Sequence, residues 1–124
     1  MQSYDGKFME QLYAWMDSHL SDAELDLGPL LDALAISRSK FFYKVKELTG
    51  LTPNAFFRTY KLNRAAKMIR EDREKLTYIA ELTGFCSLSH FSASFKKQFG
   101  CTPSQYKDSS EDIYPDIKEK WKPT

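Results

Sequence analysis

The sequence has little of what chemistry usually needs. Two cysteines, Cys86 and Cys101, and two histidines, His19 and His90, are spread over 124 residues without metal-ligand spacing. This excludes a zinc cage and a disulfide scaffold, and leaves free thiols in a reducing cytoplasm as the expected state. No acid/base pair, nucleophile elbow or phosphate loop is present, so neither an enzyme nor a cofactor site is expected. No apolar run approaches the roughly 18–20 residues that span a bilayer. The stretch Phe8–Met16 is amphipathic and lacks a basic flank, so it does not read as a signal peptide. Alternating strand patterns are missing, and with them any hairpin.

What is there is apolar residue at helical spacing, and charge that is unevenly placed. Hydrophobic residues make up 42%, enough for a modest core in one domain or two very small ones. Net charge is only +1. Yet residues 1–35 carry seven acids and one base (−6), residues 36–107 carry fourteen bases and five acids (+9), and residues 108–124 carry five acids and three lysines (−2). The basic excess therefore lies in one central block, which points to a polyanion partner or, more plainly, to solvated lysines on helices.

The periodicity predicts an all-α chain of about seven helices. Phe8, Leu12, Trp15, Met16 and Leu20 suggest an N-terminal helix over about 6–20, anchored by Trp15. Leu27, Leu30, Leu31 and Leu34 suggest a short second helix. Ser37 is a good N-cap for a third, with Phe41, Val45 and Leu48 inward and Gly50 as its left-handed stop. Pro53 sits where a fourth, long helix should begin, running to about Ile69 and burying Phe56, Phe57, Tyr60, Leu62, Ala65, Ala66 and Ile69. A fifth helix follows with Ile79, Ala80 and Leu82 inward. Ser87 or Ser89 caps a sixth with Phe91 and Phe95 inward, Gly100 stops it, and a short seventh opens at "CTPSQY". The tail beyond Lys107 is polar, with weak helical potential near 116–121; Trp121 either pins it or is exposed.

Within this pattern the chain repeats itself. At an offset of 50, residues 37–56 match 87–106 at seven of twenty positions: Ser37/Ser87, Ser39/Ser89, Phe41/Phe91, Lys46/Lys96, Gly50/Gly100, Thr52/Thr102 and Pro53/Pro103. Upstream the offset is 49, as in Leu27/Leu76 and Ile36/Phe85, so the second copy has one extra residue in its turn. Each copy reads as short helix, turn, longer helix, Gly, Thr-Pro: a helix-turn-helix. Two copies are too few for a solenoid. They suit a duplex, whose successive major grooves on one face lie roughly 34 Å apart and each accept one helix. The expected fold is thus two helix-turn-helix subdomains joined by a long linker helix, with an extra N-terminal helix. Its boundaries are 1–24 for the N-terminal helix and lead-in and 25–107 for the DNA-binding part, with a tail over 108–124. Within 25–107 the first unit is about 27–50, the linker about 53–70 and the second unit about 76–100.

The residues Gly84-Phe85, Ser89, Phe91, Phe95-Lys96-Lys97, Phe99-Gly100, Thr102-Pro103 and Tyr106 resemble the C-terminal signature of AraC/XylS-type transcription regulators. "YKLNRAAKMI" and the first copy resemble the family's other half, with Lys61 where arginine is commoner. The likeness covers about 25–107. More narrowly, "SRSKFFYKVKELTGLTP" and the segment before it look like the output domain of hybrid two-component regulators. That resemblance implies upstream receiver and sensor-kinase domains in the same chain and a dimer in the full-length protein, with the isolated domain a monomer. It also implies RNA polymerase as a further partner and a cytoplasmic site, tethered to the inner membrane through the sensor.

The same resemblance assigns the reading surface. In the third helix the side left exposed is Ser39, Lys40, Phe42, Tyr43 and Lys46, with Arg38 at its start; Ser39, Phe42 and Tyr43 would lie over base edges. In the sixth helix the outward set is Ser89, His90, Ser92, Ala93 and Lys96, with Ser87 at its start and Lys97 beside it; Ser89, Ser92 and Ala93 match base-facing places. Small residues there imply reading through DNA shape or water. Phosphate contacts are expected from Arg38, Lys40, Lys44, Lys46, Lys96, Lys97, Arg58 and Lys61. No metal is expected: His90 has no Cys or His partner at helical spacing. Cys86 reads as an idle thiol, and the Phe91/Phe95/Phe99 row as core. The function that fits best is sequence-specific double-stranded DNA binding in bacterial transcription regulation. The alternative is a helix-turn-helix module used for protein contacts with DNA binding lost.

Overall fold

The computed structural model describes residues 4–22, 26–71 and 74–107. Seven helices account for most of them, and no strand occurs among the described residues: α1 Tyr4–Ser18, α2 Gly28–Leu34, α3 Arg38–Thr49, α4 Pro53–Glu71, α5 Leu76–Leu82, α6 Leu88–Phe99 and α7 Pro103–Lys107. The weak helix expected near 116–121, and Trp121, lie outside the described residues.

Local signals set most boundaries. The Ser37 hydroxyl accepts from Lys40 N–H at 3.2 Å, and the Ser87 hydroxyl from His90 N–H at 3.1 Å. Each satisfies one of the first-turn donors that a helix cannot pair internally, a cap worth about 1 kcal/mol. Of the two serines eligible to cap α6, Ser87 does so. Gly50 (φ +78°) and Gly100 (φ +81°) close α3 and α6 in the left-handed conformation, each N–H bonding the carbonyl of Lys46 or Lys96. The Thr-Pro pairs start α4 and α7: Thr52 Oγ1 accepts from Ala55 N–H at 3.3 Å, Thr102 Oγ1 from Gln105 N–H at 3.2 Å. In the second copy Gln105 Oε1 also accepts from Thr102 N–H at 2.9 Å, a reciprocal capping box that Ala55 cannot make in the first.

The first helix departs from expectation by ending at Ser18, two residues early. Ser18 Oγ donates to Ala14 O at 3.0 Å and His19 Nδ1 to Trp15 O at 2.8 Å. These side chains take carbonyls that further helix would need, and the chain turns off.

The turns of the two units superpose in their hydrogen bonding. Ala35 and Ile36 N–H bond Asp32 O and Leu31 O; forty-nine residues on, Gly84 and Phe85 N–H bond Glu81 O and Ala80 O. The extra residue of the second turn is thereby identified as Cys86, between Phe85 and Ser87, and it is exposed.

Two cores result, and α4 serves both. The first collects Phe8, Leu12 and Met16 of α1, Leu30 of α2, Phe41 and Val45 of α3, and Phe56, Phe57 and Tyr60 from the first half of α4. The second collects Leu62, Ala65, Ala66 and Ile69 from the other half, Ile79 and Ala80 of α5, Phe91, Phe95 and Phe99 of α6, and Tyr106 of α7. Leu82, expected inward, is only half-buried. Two polar anchors hold the second unit on α4: Gln98 Nε2 donates to Asn63 Oδ1 at 3.1 Å, and Arg70 Nη1 to the Tyr106 hydroxyl at 2.6 Å. Because α4 is packed from several sides, consecutive residues Tyr60, Lys61, Leu62 and Asn63 are all buried.

Candidate nucleic-acid interface

In α3, Phe41 and Val45 are fully buried and Leu48 half-buried, which fixes the rotation of the helix about its axis. Arg38, Ser39, Lys40, Phe42, Tyr43 and Lys46 are consequently on the exposed face. Tyr43 is 69% exposed and Phe42 36%, although both carry large apolar rings. With Lys46, Glu47 and Thr52 these two line an open hollow beside the helix. Side-by-side exposed aromatics above a basic residue are an arrangement that a purely structural surface has no need of.

In α6 the row Phe91, Phe95 and Phe99 is buried, with ring centroids 5.8 Å and 4.4 Å apart in sequence order. This is core packing, as its spacing implies. Ser87, Ser89, His90, Ala93, Lys96 and Lys97 are exposed, while Ser92 is only half-buried, less open than an outward position implies. The His90 ring sits edge-on to Phe85 at 5.5 Å. Among the described residues no group of three or more His, Cys, Asp or Glu could hold a metal.

Two basic residues expected at phosphates are occupied otherwise. Lys44 Nζ lies 2.5 Å from Asp5 of α1 and 5.1 Å from the centre of the Tyr4 ring. The hydrogen bond to Asp5 raises its pKa. Lys61 is only 6% exposed, so it is not a surface cation at all. Its Nζ donates to the Asp22 carbonyl and lies 4.5 Å from the centre of the Phe57 ring. Desolvation pushes its pKa below the ordinary value, against the pull of Asp22. The cause is position: Lys61 follows Phe57 by one helical turn and shares its buried stripe. That spacing was the available signal, and the charge of the side chain hid it. Arg58 is exposed as expected.

The family model for a helix-turn-helix domain matches residues 30–109, well over half of the chain. The matched span contains both turns and the Gly84-to-Tyr106 signature. The chain belongs to the AraC-type helix-turn-helix family. Its AraC-type fold is also that of a transcriptional regulator with an AraC-type DNA-binding domain from Chromobacterium violaceum, at TM-score 0.74 and 21% identity over 85% of this chain and 95% of that one. The DNA-binding domain of AdpA, a global transcriptional factor solved in complex with a target DNA, matches at TM-score 0.65 and 25% identity, covering 80% of this chain and 87% of that one. Among full-length relatives, histidine kinase P4 of Formosa agariphila is 30% identical over 108 residues, which is 87% of this chain. The AraC-type domain spans only a minor part of the curated relatives it matches, 8% of that kinase's length. The family is one of DNA-binding transcription regulators rather than enzymes. No described helix is long and apolar enough to cross a membrane.

Proposed function

We propose that this AraC-type domain is a sequence-specific reader of double-stranded DNA in which α3 and α6 enter successive major grooves on one face of a duplex. The observation that carries the reading is the paired exposure of two helices with matching caps, cores and stops. Each presents an uncapped remainder of its N-terminal turn and an exposed lysine, Lys46 or Lys96, at the same place. Helix N-termini and lysines suit phosphates and set register. Ser39, Phe42 and Tyr43 then face base edges, the rings against thymine methyls and the Tyr43 hydroxyl toward a base or phosphate. Arg38, Lys40 and Arg58 add phosphate contacts. On α6, Ser87, Ser89, His90, Ser92 and Ala93 offer little reach, so the second groove is read through shape and water, with Lys96 and Lys97 on the backbone.

The reading module is 25–107. The kinase relative, of whose length this chain covers 8%, supports an output role within a longer signalling chain; receiver and sensor-kinase domains upstream, and a tether through the sensor, extend that proposal. In that setting dimerisation upstream would place two modules at paired sites, with RNA polymerase as the next partner. Selection of bound duplexes from a random pool, followed by titration of salt, tests the core of this. Selected sites should hold two contacted blocks about one helical turn apart, and affinity should fall log-linearly with salt, because binding releases counterions from the neutralised phosphates. Salt-independent binding, or no enriched sequence, would favour protein contacts instead.

A further inference from the structure

We infer that Lys61 is a positioning residue: with Asp22 and Gly84 it ties the segment after α1 to the middle of α4 and to the turn of the second unit, fixing the mutual angle of α3 and α6. The inference rests, for its consequence, on the DNA-reading proposal above. Three separate pieces of chain meet at the Lys61 ammonium. From the N-terminal side, Asp22 O accepts its hydrogen bond. From the linker, the Phe57 ring lies beneath it at 4.5 Å. From the second unit comes Gly84, in the left-handed conformation at φ +77°. A methyl group added at Gly84 would stand 2.6 Å from both Lys61 Nζ and Asp22 O, and 2.9 Å from Leu20 O. No side chain fits there, so backbone packs directly on backbone.

The same N-terminal segment is fastened on either side of this point. Asp17 accepts from the Tyr60 hydroxyl and lies 3.9 Å from Arg64 Nε, and the Trp15 ring packs tilted against Phe57 with centroids 5.6 Å apart. At its far end Asp5 pairs with Lys44 of the first recognition helix. α1 and the residues after it thus run from α3, across α4, to the turn that leads into α6. The packing of both units on α4 is one constraint on their mutual angle; the contact at Gly84 adds a second, from the N-terminal segment directly to the second unit. A buried ammonium bonded to a carbonyl and a ring is a poor stabiliser, because its desolvation offsets what it gains. Its value lies in holding geometry.

The test uses spin labels at Glu47 on α3 and Ser104 on α7, both exposed, in a Cys86→Ser, Cys101→Ser background, with the DNA measurements made on unlabelled chain. Pulsed dipolar spectroscopy on the free protein should give one narrow distance distribution. Lys61→Met should broaden it about two-fold and Lys61→Arg, which keeps the cation, should not. Should Lys61→Met lose helix content, Asp17→Asn loosens the same brace from its exposed side. On DNA, the parent should prefer a selected two-block duplex over one with two added base pairs between blocks by about ten-fold. Lys61→Met should cut that preference below about three-fold while leaving single-block affinity unchanged. A folded Lys61→Met chain with the parent's narrow distribution, or with its full spacing preference, overturns the inference. A parent that enriches no duplex defeats the DNA reading instead, and the distance comparison still decides the brace.

Discussion

Phe42 and Tyr43 of α3 correspond, fifty residues on, to Ser92 and Ala93 of α6. Everything that supports these positions is alike in the two units. The caps are Ser37 and Ser87, the stops Gly50 and Gly100, the first buried rings Phe41 and Phe91, and both leading turns close with the same pair of hydrogen bonds. A frame has been kept and its outer face changed. Packing constrains the frame, because each buried ring or cap has a measurable cost of loss, whereas the face is mostly exposed and freer to follow its ligand. The units also differ in what supports them. The first is covered by α1, whose Tyr13 ring lies 6.2 Å from Phe56; in the second, among the described residues, the place of Phe56 is taken by Tyr106, its repeat counterpart, bonded to Arg70.

The largest test of this contrast is Phe95→Ala. Deleting a fully buried ring from the second core should cost about 3–5 kcal/mol in chemical denaturation and lose the second unit before the first. A well-folded variant lacking only DNA affinity would mean that the ring belongs to the face and not the frame. Next is Tyr43→Ala, which should weaken binding to selected sites by about 1–3 kcal/mol and leave nonspecific binding nearly unchanged. Ser89→Ala and Ser92→Ala should each do less, and their effects should appear at uncontacted steps of the site. Equal loss of specific and nonspecific binding in Tyr43→Ala would contradict the base-facing assignment. Ser37→Ala and Ser87→Ala should each cost about 1 kcal/mol of stability, because the two caps are the same device. A clear difference between them would break the symmetry of the frame.

The smallest effect is one of pH. Burial holds the Lys61 pKa below 10.5 in the folded chain, so the unfolded chain binds its proton more tightly. Between the folded value and 10.5 the unfolded state carries more protons, and stability must rise with pH over that window. Measured against Lys61→Met, which cancels other titrations, the parent should gain stability across this range and be flat below it. A loss over the same range would mean that the ammonium is stabilised by its partners.

Much of this was legible beforehand because helix signals are local. Ser37, Gly50, Pro53 and Gly100 act within one turn of chain, and the apolar spacing of α4 gave all seven of its expected buried residues. What was hidden depends on contacts distant in sequence. Lys44 and Lys61 looked like free cations because Asp5 and Asp22, tens of residues away, do not advertise where they will fold. The early end of α1 turned on competition between side chain and backbone at Ser18 and His19, which composition alone does not rank. The half-burial of Ser92 fits its place three and seven residues before the buried Phe95 and Phe99, on the same side of α6, a relation that the outward assignment passed over.

The most direct measurement is hydroxyl-radical footprinting of a selected duplex, with the stoichiometry of the complex fixed by its mass. One chain per duplex should protect two patches on the same face, centred about one helical turn apart, and Tyr43→Ala should erase the stronger patch first. A single patch, or two patches that form only when two chains are bound, would contradict the simultaneous use of α3 and α6 by one molecule.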